Sequence, residues 1–461
     1  MIDHIYADKV REECGVFGIY APPAKNVAED IYYGLLSLQH RGQESAGISI
    51  SDTAGPKGNL SGKKGMGLVS EIFSKEDLLC LRGNIGVGHV RYSTTGESSI
   101  INAQPISMNY IKGSLALVHN GNLINAGDLK KVQMYRGQAH YTTSDTEVLA
   151  YEIVSERVRT RNIETAAKQA MGRIKGGYAC LIMSPRKLIG IRDPHGIKPL
   201  VLGRKQESYL LASESAAIKS VGGQLIRDVE PGEIIAITES GIKSDRISGE
   251  KKPAHCIFEY IYFARVDSII DGVSVHDARV NFGKALARRD KVDADLVSGV
   301  PDSGIAAAQG YADESGITFV LIFHKNSYVG RSFIKPSDEE RRTAVHMKLS
   351  VIPGSVKGKR VVLIDDSIVR GTTMGQIINM LKEAGASEVH VRISSPPFLY
   401  PCYYGTDVPT SGQLIASHHS TAEVSRKIGA DSLAYLAIED LESTVGNLPV
   451  CAACFNNRYP V

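Results

Sequence analysis

The alternation of apolar and polar positions changes character about halfway along the chain. Up to about residue 245, short β-type runs dominate: GVFGIY (15–20), AGISI (46–50), IGVGHV (85–90), SLALVHN (114–120), YACLIM (178–183) and ESYLLAS (207–213), many closed by Gly, Asn or Ser. Apolar residues recur at spacings of three and four over 27–39, 146–158 and 163–174, which predicts a few helices among the strands. Stacked sheets flanked by helices are expected. The second half reads differently. DLVSGVP (295–301), TFVLIF (318–323), RVVLIDD (360–366) and EVHVRISS (388–395) are nearly continuous apolar runs, and helical patterns at 277–289, 304–315 and 375–384 alternate with them. That is the pattern of a parallel sheet with crossover helices. A polar, Lys-bearing stretch at 244–253 lies between the halves, so two domains, 14–245 and 246–461, are expected.

Composition adds exclusions. With 43% hydrophobic and 22% charged residues, 461 residues can build two proper cores. A net charge of +3 gives no concentrated basic surface for nucleic acid, so anionic ligands must be held by local sites. No apolar run reaches the roughly 18 to 20 residues of a membrane span, and the start, MIDHIYADKVREE, has no apolar signal region. A cytoplasmic location is expected. Seven cysteines, an odd count, argue for reduced thiols with catalytic or metal roles over a disulfide framework.

The densest chemistry is RVVLIDDSIVRGTT, 360–373. A buried strand ends in two acids, followed by small and hydroxyl residues before a helix. Backbone N–H groups there, with the hydroxyls of Ser367, Thr372 and Thr373, can ring a phosphate, and Gly371 lets the backbone approach. Asp365 and Asp366 suit sugar hydroxyls, directly or through Mg²⁺. The string resembles the phosphoribosyl-diphosphate motif of type I phosphoribosyltransferases. That resemblance makes 366–373, with Arg370, the 5-phosphate loop. It also makes SGVPDSG (298–304) the diphosphate loop, with Ser303 joining Asp365 and Asp366 around the metal. Between them, 325–349 is rich in Lys and Arg and too polar for core; Lys325, Tyr328, Arg331 and Lys348 are read as a lid that closes over diphosphate and excludes water.

In the first half, Cys14 in REECGVFGIY is accompanied by LQHRGQESAG (38–47), GHVRYSTTG (88–96), HNGN (119–122) and TSDTE (143–147). Together these resemble the N-terminal-nucleophile glutamine amidotransferases. The resemblance implies an αββα sandwich, removal of residues 1–13 as a propeptide, and Cys14 as nucleophile with its freed α-amine as base. It further implies that Arg91 pairs with the glutamine α-carboxylate and Asp145 with its α-amine, and that Asn120 and the Gly121 N–H form the oxyanion hole.

Six thiols remain. Cys80 and Cys180 fit ordinary buried positions. CAAC at 451–454 has a chelating spacing, and two distant cysteines could complete an S₄ site for zinc as readily as for iron-sulfur.

Both halves together resemble the amidophosphoribosyltransferase family, one branch of which carries a leader and a cluster. On that resemblance Cys256, Cys402, Cys451 and Cys454 hold a 4Fe-4S cluster. The resemblance also implies glutamine and phosphoribosyl diphosphate as substrates, Mg²⁺, purine-nucleotide inhibitors, a homotetramer, and no nucleic-acid or membrane partner. Two rivals are a glucosamine-6-phosphate-synthase-type enzyme, opposed by 361–373, and a non-catalytic phosphoribosyl-diphosphate sensor. The sensor would need a DNA-binding segment, and none is evident.

Overall fold

A computed structural model describes residues 14–53, 59–92, 97–247, 249, 251–326, 349–406 and 411–461. The expected propeptide and the expected lid residues Tyr328, Arg331 and Lys348 lie outside them.

The first half is two antiparallel sheets. One has seven strands in the order Gln224–Asp228, Val201–Lys205, Ser208–Ala212, Gly15–Tyr20, Ile85–Arg91, Ser45–Ser51, Leu60–Met66. The other has six: Gly241–Arg246, Glu233–Thr238, Lys187–Arg192, Gly176–Ser184, Gly113–Leu123, Ile106–Tyr110. The run GVFGIY contains no charged residue because both its faces are buried. Phe17 and Ile19 pack against Ile31 and Leu35 of the helix Ala28–Ser37, while Val16 points to the opposite face and joins Val118, Leu181 and Leu188 between the sheets. A Cβ at Gly18 would stand 2.8 Å from Leu181, so glycine sets how closely the sheets approach. The helices Asp145–Arg159 and Ile163–Met171 cover the second sheet through Leu149, Ile153, Ala167 and Ala170. The order helix, sheet, sheet, helix is the expected αββα sandwich. Each fully buried Ile, Leu or Phe in these layers contributes about 1.5–3 kcal/mol of transfer free energy.

The second half is built on a four-stranded parallel sheet ordered Leu296–Gly299, Arg360–Asp365, Glu388–Ile393, Ser432–Tyr435. Along Arg360–Asp365, Val362 and Ile364 face the helices Val275–Arg289 and Gly304–Ser315; Val361 and Leu363 face Thr372–Glu383 and Thr421–Ile428. Burial on both faces explains the continuous apolar run.

One expected strand is shorter than its pattern. Of TFVLIF only Phe323 is in a strand, Phe323–Lys325, paired antiparallel with Leu349–Val351, while Phe319 makes a single parallel bridge to Val297. Leu321 is 56% exposed, so the run skirts the sheet edge. The expected helix at 375–384 begins earlier, at Thr372, capped by Gly371. Among the described residues no helix is long and apolar enough to cross a membrane.

Candidate functional site

Cys14 lies just before the strand Gly15–Tyr20, whose neighbour Ile85–Arg91 ends in Arg91. The thiol is 7% exposed and donates to the Tyr92 carbonyl at 3.4 Å. Burial pushes its pKa up to about 11, although a backbone hydrogen bond with Tyr92 and the Arg91 guanidinium oppose the rise. At neutral pH it therefore holds its proton, and attack on a carbonyl requires a base. Arg91 is 3% exposed, ion-paired with Glu44 from the QHRGQE stretch, and donates to the Glu97 carbonyl.

Asn120 and Gly121 lie on the long strand Gly113–Leu123, opposite Ala179 and Tyr178. The Asn120 side chain is fully buried, and neither its Nδ2 nor its Oδ1 has a hydrogen-bond partner among the described residues. Leaving a buried amide unmatched costs about 1–3 kcal/mol, so a native protein that keeps one usually has a use for it. Asp145 opens the helix Asp145–Arg159 and accepts from the Leu123 N–H at 3.0 Å. Burial alone would raise its carboxyl; His119, 3.7 Å away, and the N–H groups of Leu123 and Thr146 outweigh it and hold the pKa below the usual value. The site thus offers a nucleophile, a dipolar donor, a fixed cation and a fixed anion.

The second site lies at the carboxyl ends of the parallel strands, where such folds bind ligands. Asp365 and Asp366 end the central strand and are 2% and 0% exposed. Ser303, at the start of the helix Gly304–Ser315, donates to Asp366 Oδ2, and Ser367 donates to Asp366 Oδ1. The loops 298–304 and 366–373 therefore meet at one carboxylate. They touch because a Cβ at Gly304 would stand 2.5 Å from the Ile364 carbonyl. Gly371, with φ of +87°, turns the chain so that Thr372 and Thr373 open the helix Thr372–Glu383. Arg370 donates to Gln413. Lys325, at the end of the short hairpin, pairs with Asp302 of the diphosphate loop.

Cys256, Cys402, Cys451 and Cys454 line one small enclosed cavity with Ile197, Phe258, Phe398 and Tyr404 among its walls. Cys256 and Cys451 face each other across two paired parallel strands, and the Cys454 carbonyl accepts from the N–H groups of Leu399 and Tyr400. Burial raises the Cys454 thiol well above its usual range, with the other three sulfurs adding to the effect. Among the described residues no three His, Cys, Asp or Glu side chains close on a single metal ion. Cys80 is exposed, against expectation, on a short helix with no buried residue; Cys180 is buried.

Between the sites runs a charged seam, of which only His40 and Arg41 lie in a motif, LQHRGQESAG. Glu214, buried, accepts from Arg41, His40, Ser268 and the Arg265 N–H, and Arg41 also pairs with Glu259. Burial would raise the Glu214 carboxyl, but His40 and Arg41 drive it far down. Glu259 opens the π-helical turn Glu259–Phe263, whose carbonyls at Tyr260 and Tyr262 accept from buried Arg279. A cation on the apolar face of a helix, beside Ala278 and Phe282, is the signal that finds Arg279. Replacing one partner of such a buried pair strands the other charge.

A glutaminase-type site on an αββα sandwich and a phosphate cradle on a parallel sheet define a glutamine-dependent phosphoribosyltransferase. A glutamine amidotransferase domain model matches residues 89–220 and a phosphoribosyl transferase domain model matches 284–394. The chain is 48% identical to the amidophosphoribosyltransferase of Bacillus subtilis (strain 168), over 98% of this chain and 94% of that protein. It is 47% identical to the amidophosphoribosyltransferase of Archaeoglobus fulgidus, over 97% and 98%. A solved structure of glutamine phosphoribosylpyrophosphate amidotransferase from B. subtilis, complexed with ADP and GMP, superposes with a TM-score of 0.90 at 47% identity, covering 97% of each chain. The chain belongs to the amidophosphoribosyltransferase family. It converts glutamine, 5-phosphoribosyl 1-diphosphate and water to 5-phosphoribosylamine, glutamate and diphosphate in purine biosynthesis, passing ammonia between its two sites.

Proposed function

We propose that Cys14, with its α-amine freed by removal of residues 1–13, is the glutaminase nucleophile, and that Asp365 and Asp366 organise the sugar diphosphate around Mg²⁺. The observation that carries the first half is the unmatched Asn120 amide in a fully buried position, next to Gly121 on one strand. The Cys14 proton passes to the amine as Sγ bonds the carboxamide carbon; the oxyanion is held by Asn120 Nδ2 and the Gly121 N–H. Collapse breaks the C–N bond, and the nitrogen leaves as ammonia with that proton. Water then splits the thioester to glutamate. Arg91 and Asp145 hold the substrate's α-carboxylate and α-amine by charge.

At the second site Ser303 and Ser367 orient Asp366, and the amides and hydroxyls of 367–373 receive the 5-phosphate. Mg²⁺ bound there would neutralise charge building on the departing diphosphate. Lys325, Tyr328, Arg331 and Lys348 close over it, so that ammonia meets the sugar carbon before water does. Purine nucleotides inhibit, in keeping with the ADP and GMP bound by the B. subtilis relative; a homotetramer is proposed on the family resemblance alone. The division into 14–245 and 246–461 follows the change of sheet type.

The four-cysteine cavity is proposed to hold a 4Fe-4S cluster. Four thiols from three separate chain segments line one enclosed cavity, which matches the four cysteine ligands such a cluster takes. Bound there, the cluster supplies a cross-link between distant chain segments. Cys454→Ser is expected to drop iron from about four per chain to near zero, read by metal and sulfide analysis of anaerobically purified protein, while mass spectrometry of the native chain finds Cys14 first. Stoichiometric zinc in native protein, or an intact leader on active enzyme, would overturn these assignments.

A further inference from the structure

We propose that the segment 402–405 is the rear wall of the glutaminase oxyanion hole, making Asn122 and Gly405 positioning residues for the glutamine reaction although Gly405 lies in the other half of the chain. The inference rests on the assignment of Asn120 and Gly121 as the oxyanion donors. It also assigns a second task to the stretch that carries Cys402.

Three glycines stand back to back at this point. A Cβ on Gly405 would lie 2.9 Å from the Gly121 carbonyl carbon and 3.1 Å from its Cα. On its other side Gly121 is pressed against the neighbouring strand, where its own Cβ would meet the Gly177 carbonyl at 2.1 Å. Gly177 in turn leaves room for Tyr404, whose Cβ would be 3.1 Å from any side chain there. Gly121 and Gly405 both have positive φ, +137° and +103°, so neither site accepts a side chain without strain. The wall is also tied by a directed bond: Asn122 Nδ2 donates to the Tyr403 carbonyl at 2.9 Å.

The wall is anchored at the cysteine cavity. The Tyr404 N–H points at Cys402 Sγ at 3.4 Å, and Tyr404 itself lines the cavity. The last residues of the chain brace it from outside: Tyr459 donates to the Pro401 carbonyl and Tyr404 to the Val461 carbonyl. An oxyanion donor works only if held to a fraction of an ångström, and a 1 Å misplacement costs on the order of 100-fold. Whatever holds Cys402 therefore holds the Gly121 N–H, and release of the cysteine should loosen the glutamine site before the phosphoribosyl site.

The test uses full-length, metal-loaded enzyme. Gly405→Ala is expected to lower glutamine-dependent kcat by about 10- to 100-fold with KM for glutamine changed less than about threefold. The ammonia-dependent rate and iron content should stay within about twofold of native. Asn122→Ala, which removes only the tie, should show the same split more weakly. Hydrogen exchange of the amides at 120–122 should quicken in both variants and in iron-stripped protein, with the strand Ile85–Arg91 unchanged. Parallel loss of both nitrogen sources together with iron, or full glutaminase in Gly405→Ala, would overturn the proposal. Asn120→Ala run alongside separates the failures: if it keeps full glutaminase, the oxyanion assignment is wrong, whereas if it loses about 100-fold while Gly405→Ala does not, only the wall is wrong.

Discussion

Cys14→Ala will lose phosphoribosylamine formation from glutamine by more than about 10³-fold and keep formation from ammonium salts within about twofold. The expectation follows from the separation of tasks. The thiol lies on the αββα sandwich, with Asn120 on a strand and Asp145 at a helix start of the same half, whereas the carboxylates proposed for the sugar diphosphate end a parallel strand in the other half. Removing one sulfur from a buried position leaves a small cavity, which costs stability but not the second fold. Thiol burial also predicts why no other group substitutes. The pKa of about 11 means that the thiol alone is almost wholly protonated at pH 7, so the reaction depends on sulfur and base together. Steady-state assays with each nitrogen source check this, and equal loss with both would contradict the division of labour.

The second large effect falls on the other site. Asp366→Asn is expected to lower the rate by about 10²- to 10³-fold with glutamine and with ammonia alike. The carboxylate takes Ser303 Oγ on one oxygen and Ser367 Oγ on the other, so it fixes the relation of the two phosphate loops as well as any metal. An amide offers one acceptor and two donors in place of two acceptors and carries no charge, so one of those serine bonds must reverse or break and a metal loses its anionic partner. The loss should appear in KM for the sugar diphosphate as well as in kcat. A variant that retained the ammonia reaction would remove Asp366 from the chemistry.

Much of this was legible before any coordinates. The short β-type runs of the first half and the continuous apolar runs of the second are direct consequences of sheets buried in layers, and RVVLIDD reads as a central strand because Val361 to Ile364 are all buried. The motif residues came together because they sit at strand ends and turns, where the chain pattern changes. What stayed hidden has a common physical cause. Arg41, Glu214 and Glu259 are charges whose burial depends on partners between about 50 and 220 positions away, and Arg279 is satisfied by carbonyls 15 to 19 positions back; no local periodicity encodes such pairings. TFVLIF misled because apolar composition does not say whether a run pairs along its length or only at one end. Gly405 gave no signal at all, since a glycine beside Tyr404 reads as a turn, and its contact with Gly121 exists only in three dimensions.

The buried seam from Arg41 through Glu259 to Arg279 gives the two sites a rigid connection. Arg279 lies within electrostatic reach of both Asp366 and Glu214, and it also holds the turn at Glu259–Phe263 by three carbonyls. A change at the phosphate loops can thus reach the QHRGQE stretch through a chain of packed ionic contacts.

Transfer of nitrogen inside the molecule is the central claim, and isotope competition tests it most directly. Native enzyme would be given glutamine carrying heavy nitrogen in its amide, together with phosphoribosyl diphosphate and an excess of ordinary ammonium, and the trapped phosphoribosylamine would be analysed by mass spectrometry. Internal hand-off predicts product labelled almost wholly from the amide despite the excess; product labelled in proportion to the mixed ammonium pool would show that the two sites exchange nitrogen through solvent.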